Sequence, residues 1–424
     1  MIELINSERL WARVNHLAQM TLPDVPWTRR AFTPLFSEAR AWLAEQMKQA
    51  GLTVTLDEGG NLIGRRAGVR NDLPPIVTGS HCDTVVGGGR YDGIIGVLAG
   101  IEIAHCLHQQ GIVLQHPFEV IDFLSEEPSD YGISCVGSRA MSGELDGGML
   151  ASRNAQGETL AEAMTRIGAQ PEKLNRPLRL PGGTAAYVEL HIEQGPVLER
   201  QHLPIGVVTH IVGIRRVLVT VLGQPDHSGT TPMDIRRDAL VGAAHVIEQA
   251  HAMALQQSGN PHYVVATVGR IAMTPNVPNA VPGQVELMLE VRSDSQALLE
   301  TFPEALLENC RPRLQSLDLQ TQLQHVSRAR PTACAETVMQ AIEGAAHSLG
   351  LAGRRLPSGA GHDAVYMAST GPVGMVFIPC LNGRSHCPEE SITEQQLADG
   401  ARVLAQALIN LDKQLHKKGA CWPL

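Results

Sequence analysis

The sequence predicts an α/β protein in two parts: a discontinuous domain of mixed sheet and helices, and a smaller α+β domain inserted into it. Three observations carry this expectation. The chain has 424 residues, beyond the size at which a single hydrophobic core stops growing. Short apolar runs alternate with helical patterns towards both ends, as in an α/β sheet. The middle changes to the order β-α-β-β-α-β of a ferredoxin-like unit, which is self-contained and tolerates insertion.

The elements follow in order. Ser37 to Gly51 places Ala39, Trp42, Leu43 and Met47 on one helical stripe, with Gly51 as C-cap. Apolar runs bounded by turn residues predict strands at Leu52–Leu56, Pro75–Thr78, Phe118–Leu124 and Ala186–Ile192, with a helix over Gly93–Gln110 among them. In the middle, Arg215–Leu222 alternates β-branched residues as a strand. Met233–Leu255 reads as an amphipathic helix, Tyr263–Ala272 and Gln284–Ser293 as strands, Ser295–Arg311 as a helix and Leu317–Gln324 as a strand. Helices return over Thr337–Leu349 and Gln395–Leu415, around a strand at Gly374–Pro379. The expected domains are 1–212 with 330–424, and 213–329.

Composition narrows the function. The chain is 43% hydrophobic and 18% charged, as ordinary globular proteins are. A net charge of -9 and 4% aromatics argue against a nucleic-acid partner or an anionic membrane surface. They leave room for an anionic substrate, because bound divalent cations reverse the field locally. No apolar run reaches the roughly 18 residues of a membrane span, and the N-terminus lacks the basic-then-apolar order of a signal peptide. The eight cysteines stand singly without a CxxC pair, which predicts reduced thiols in a cytoplasmic protein.

Five segments place metal-competent or acid–base side chains where strands should end: GSHCDTVVGGGRYDG, LSEEPSDYG, ELHIEQGP, SGAGHDA and GRSHCPEE. His81 follows an apolar run and a turn at Gly79–Ser80, and Asp83 is spaced to orient its ring. Asp92 sits in a glycine-crowded loop that lets one carboxylate reach two cations. Glu126 and Glu127 are adjacent at a strand end, where two carboxylates are costly without a cation. In extended chain they point to opposite sides, so they should have different jobs. His191 and His386 each follow a strand. Cys82 and Cys387, next to two of these histidines, should face away from them. Each motif alone is weak; five in one chain are the signal. His and carboxylate donors suit zinc or manganese without thiolate. Two such ions clamp a water and polarise a carbonyl, and a free carboxylate beside them takes and returns a proton.

These segments, with DHSGTTPMDIRRDAL and PNVPNAVPG, resemble the M20 metallohydrolase superfamily and, within it, the hydantoinase/carbamoylase family of amidases. The resemblance covers about Ile76 to Glu390. It implies an α/β catalytic domain with a ferredoxin-like lid and dimerisation domain, two divalent metal ions per subunit (zinc or manganese, with cobalt or nickel accepted in vitro), and a homodimer. It implies that His81 binds one metal and His386 the other, that Asp92 bridges them, and that Glu127 and His191 complete the two shells. Glu126 would be general base and acid, and Asp83 would support His81. His227 would reach a neighbouring subunit's site and stabilise the developing oxyanion. Asn279 and Arg292 would form the substrate-holding pair, Arg292 with a fork matched to a carboxylate. Gln194, Gly359 and Gly361 would line the same pocket, with His362 and Asp363 following. The implied reaction is hydrolysis of the carbamoyl C–N bond of a small N-carbamoyl (ureido) acid of the N-carbamoyl-L-amino acid type, releasing ammonia and carbon dioxide.

The alternatives are an allantoate amidohydrolase, an M20 peptidase or aminoacylase, and a silent metal-binding scaffold. Two residues depart from the family pattern. Pro128 follows the glutamate pair where many members have glycine, and Ile214 stands in GIRR where many have a polar residue.

Overall fold

The computed structural model describes residues 5–259 and 261–419. These form two compact units: 5–209 with 334–356 and 360–419, and 210–259 and 261–333 with 357–359. The architecture is mixed α/β, with a large mixed sheet in one unit and a four-stranded antiparallel sheet in the other.

In chain order the strands are β1 (Thr53–Leu56), β2 (Leu62–Arg66), β3 (Ile76–His81), β4 (Phe118–Phe123), β5 (Ala186–Ile192) and β6 (Ile205–Ile211). Then come β7 (Gly213–Leu222), β8 (Val264–Thr274), β9 (Gln284–Ser293) and β10 (Gln320–Ala329). The last are β11 (Thr332–Ala333), β12 (Gly353–Ser358) and β13 (Val373–Ile378). The large sheet runs β1-β2-β4-β3-β5-β13-β6-β11, with β12 also paired to β6. Its centre is parallel: β3 with β4, β3 with β5, and β13 with β5. Every residue of β3, β4, β5 and β13 is buried. That is why these strands read as continuous apolar runs instead of alternating ones. The helix Ile94–Gln109 is largely apolar too, and 13 of its 16 residues are buried.

The small sheet runs β10-β7-β9-β8, all antiparallel. Helices Ala239–Gln257 and Gln296–Ser316 pack on one face only. Burial therefore alternates strictly along β7 and β9, and the ferredoxin-like order expected from the sequence is present.

Several element bounds differ from the sequence reading, for local physical reasons. The strand expected to stop at Thr78 runs on to His81. Gly79 is not a turn residue but a strand residue, since a Cβ there would collide with the carbonyl of Ile121 on β4. The helix expected from Met233 starts at Ala239, because the Asp238 side chain accepts from the amides of Leu240 and Val241. The last ferredoxin-like strand lies later than expected, at Gln320–Ala329. β2, β6, β11 and β12 had not been expected; β2 and β12 carry charges that mask their pattern, and β11 has only two residues.

Candidate functional site

The site residues of the larger unit gather at the carboxyl ends of its parallel strands, the usual crevice of such sheets. His81 ends β3, His191 lies at the end of β5, Glu126 and Glu127 follow β4, and His386 follows β13. All but His386 are buried.

Asp92 is the centre. Its Oδ1 lies 3.0 Å from Nε2 of His191 and 3.8 Å from Nε2 of His81. Its Oδ2 lies 2.9 Å from Nε2 of His386, which is also 3.0 Å from Oε1 of Glu127. Two donor sets thus share Asp92: His81, Asp92 and His191, and Asp92, Glu127 and His386. The imidazoles are oriented from behind. His81 Nδ1 is 3.0 Å from the Asp83 carbonyl oxygen, and His191 Nδ1 is 2.9 Å from that of Ile192. Donation to a carbonyl fixes the proton on Nδ1 and turns the Nε2 lone pair towards the carboxylates. Lone pair facing carboxylate is stable only with a cation or proton between them, so the donor chemistry fits divalent metal.

Asp83 has a second task beside the one expected from the sequence. Its carboxylate is 3.6 Å from His81 Nδ1, while its two oxygens accept from the amides of Glu126 and Glu127 at 3.2 and 3.1 Å. It therefore fixes the turn that carries both glutamates. Glu126 Oε2 is 3.7 Å from His81 Nε2, and Oε1 takes the Cys135 thiol at 3.5 Å. Burial pushes the Glu126 carboxyl well above its usual range, His81 opposes this, and Glu127, Asp363 and Asp83 add to it.

The glycines of the Asp92 loop are explained by contacts. A Cβ on Gly93, which has φ 70°, would enter the His81 ring, and one on Gly89 would enter the Glu390 carboxylate. Glu390 was missed in the sequence. Its Oε1 accepts from the amides of Tyr91 and Asp92, and its Oε2 from Ser385. It lies in GRSHCPEE, where the second acid was the available signal. Gln194 turns its amide inward, donating to Asp92 Oδ2 at 3.1 Å. Ser125, Cys135, Gln194 and His386 all have φ between 52° and 56°. Such left-handed non-glycine residues cost of order 1–3 kcal/mol each and cluster at functional sites.

Behind His191 lies a second acidic layer. His362 packs edge-on against it, with ring centroids 4.6 Å apart. Glu189 accepts from Ser80 and Tyr187, and Asp363 accepts from Ser138 at 2.6 Å. Gly361 is exposed in the same unit. Cys82 donates to Asp122 and stands outside both donor sets.

In the smaller unit the structure separates residues that the sequence reading paired. Arg292 donates Nη1 to the Gly359 carbonyl at 2.7 Å and Nε to Glu290 at 2.7 Å. It stands opposite Ile214, at one end of the sheet. Asn279 lies beyond the other end, in the connection from β8 to β9, next to the segment after β7. Ser228 donates its amide to the Asn279 carbonyl, Val281 donates to Asp226, and His227 bridges Ala280. Asn279 is thus a neighbour of His227, not of Arg292. From Gln284 to Arg292 the strand spans roughly 26 Å at about 3.3 Å per residue. His227 is exposed, and its Nδ1 accepts from the amides of Gly229 and Thr230. Its proton is therefore on Nε2, pointing outward as a donor.

A mixed sheet with shared His/carboxylate sets at its parallel strand ends, plus a ferredoxin-like unit, is the architecture of a metal-dependent hydrolase. Residues 77–410 match the model of peptidase family M20/M25/M40, and the chain belongs to that family. The N-carbamoyl-L-amino acid amidohydrolase of Geobacillus stearothermophilus is 39% identical over 95% of this chain and 97% of that one. A ureidoglycolate hydrolase of Oryza sativa subsp. japonica is 33% identical over 97% of this chain and 86% of its own length. Among solved structures, an amidase of the hydantoinase/carbamoylase family from Burkholderia multivorans is similar with a TM-score of 0.88 at 36% identity, covering 99% of both chains. No helix among the described residues is long and apolar enough to cross a membrane. Seven of the cysteines are free thiols, and Cys421 lies outside the described residues.

Proposed function

We propose that the protein hydrolyses the carbamoyl C–N bond of N-carbamoyl-L-amino acids in the cytoplasm, as a homodimer with two divalent ions, zinc or manganese, per subunit. The observation that carries this is the pair of donor sets joined through Asp92 with Glu126 beside them, in a chain similar along nearly its whole length to carbamoyl amidohydrolases. His81, Asp92 and His191 would hold one ion, and Asp92, Glu127 and His386 the other. When bound, such ions polarise the scissile carbonyl and acidify an attacking water.

The chain's residues do the rest. Glu126 takes the proton of the attacking water and delivers it to the leaving nitrogen. The amine departs, and the carbamic acid falls apart into ammonia and carbon dioxide. Arg292 anchors the substrate carboxylate, aided by the Gly359–Gly361 backbone. Its net charge remains available, because Arg292 and Arg216 share the single acid Glu290. Gln194 acts by steadying Asp92. His227 offers Nε2–H to the developing oxyanion, with Asn279 beside it. Since about 26 Å of strand separates them from Arg292, the His227–Asn279 arm of one subunit serves the site of the other.

The test is ammonia release by zinc- or manganese-loaded protein from N-carbamoyl-L-amino acids, N-carbamoyl-β-alanine and allantoate, with free-amine release from an N-acetyl amino acid as contrast. Ammonia from N-carbamoyl-L-amino acids, and none from their D-enantiomers, is expected. Cleavage of the N-acetyl compound alone would make the protein an aminoacylase.

A second expectation concerns the metal sites. Hydrogen bonds to Asp92 and then Glu127 raise the His386 pKa to about 11, so in metal-free protein at pH 7 this ring carries a proton. A cation entering there must displace it. Zinc or manganese binding should release about one proton at this set, and affinity should weaken as pH falls. Calorimetry in two buffers of different ionisation enthalpy reads the proton count; a count of zero removes His386 from the ligands.

A further inference from the structure

We propose that Ile214 and Val265 form an apolar subsite beside Arg292, and that the enzyme selects N-carbamoyl amino acids with apolar side chains. This rests on the carbamoylase reading, with Arg292 as carboxylate anchor.

Strand register carries the inference. Arg292 on β9 stands directly opposite Ile214 on β7 and Val265 on β8, and Ile214 is in turn opposite Ala329 on β10. Directly opposed residues share one face of a sheet, with Cβ atoms about 4.5–5.5 Å apart. That face is the one the two helices leave uncovered, since the alternate residues Val217, Leu289 and Val291 form the buried core. Ile214, Val265 and Arg292 are all half-buried there. The cross-strand row through Arg292 therefore holds one charge among three apolar side chains.

The next row along the face is its opposite. Ser327, Arg216, Glu290 and Thr267 are polar throughout, and Glu290 takes hydrogen bonds from both Arg292 and Arg216. Arg292 thus stands on a boundary, with a saturated ion-pair row along the strand and an apolar row across it. A carboxylate seated on its guanidinium fixes the substrate's α-carbon one bond away, so the α-substituent comes to lie over a neighbour of Arg292. Over Ile214 or Val265, an apolar substituent removes apolar surface from water. A carboxamide or a second ureido arm would lose its water there and find no partner.

The selectivity follows as a ratio. For metal-loaded protein, kcat/KM for N-carbamoyl-L-leucine should exceed that for the nearly isosteric N-carbamoyl-L-asparagine by at least about tenfold, and allantoate should be a poor substrate. Ile214→Gln should shrink the leucine-to-asparagine ratio by about tenfold. Val265→Thr, which adds a hydroxyl at nearly constant volume, should move it in the same direction and guards against misfolding of the first variant. N-carbamoylglycine, without a side chain, separates the two readings. If it is hydrolysed but leucine and asparagine compounds are cut alike, or neither variant changes the ratio, the subsite is wrong while the carbamoylase reading stands. If no carbamoyl compound is hydrolysed, both fall.

Discussion

Glu126→Gln is expected to lower kcat by roughly 10²–10⁴-fold, the usual worth of a positioned acid–base group, with metal content and fold retained. The substitution keeps the volume of the side chain and its reach towards the Cys135 thiol. Its backbone amide stays on Asp83. What is lost is the capacity to take a proton from water and return it to nitrogen. The surroundings suit that exchange, because burial raises the affinity of Glu126 for a proton while His81, 3.7 Å away, holds it in check. A carboxylate in this balance can both accept and release. The measurement is kcat on an N-carbamoyl-L-amino acid, with metal content by atomic emission on the same sample. Near-full activity would remove Glu126 from the mechanism; loss of metal together with activity would make it a ligand instead.

How far the site was legible in the sequence depended on what kind of contact places each residue. His81, His191 and Glu127 sit on or just after strands whose apolar runs are unmistakable, because both faces are buried. Their convergence follows from parallel strands ending on one side of a sheet. Asp92 was legible through its glycines, and two of these prove to be set by contact with His81 and Glu390. Glu390 itself was not, because its role depends on meeting a loop almost 300 positions earlier in the chain. The same limit explains Asp83. Spacing suggested that it would hold the nearby His81 ring, whose Nδ1 its carboxylate approaches at 3.6 Å, but not that the same carboxylate caps the amides of Glu126 and Glu127, more than 40 positions away. Ile214 was visible as a departure from a pattern, but only the β7–β9 register shows that it faces Arg292.

That register also yields the strongest test of assembly. Arg292→Ala and His227→Ala should each cost at least about 10²-fold, the first by loss of a bidentate carboxylate anchor and the second by loss of an oxyanion donor. Co-expressed with separate tags, the two dead chains should recover activity. In the mixed dimer, one site receives both altered residues and the other receives both intact ones. Random pairing makes half the dimers mixed, so the pool should regain about a quarter of wild-type turnover. Asn279→Ala should complement Arg292→Ala in the same way, because Asn279 belongs to the His227 arm. Asn279→Ala with His227→Ala should give no recovery, since every site then loses one member of that arm. Recovery in this last pair would bring Asn279 and His227 to one site from different subunits, and no recovery in the first two would place all three residues at a site built by one chain. The roughly 26 Å of strand between Gln284 and Arg292 would then have to be bridged by one small substrate, which no N-carbamoyl amino acid can do.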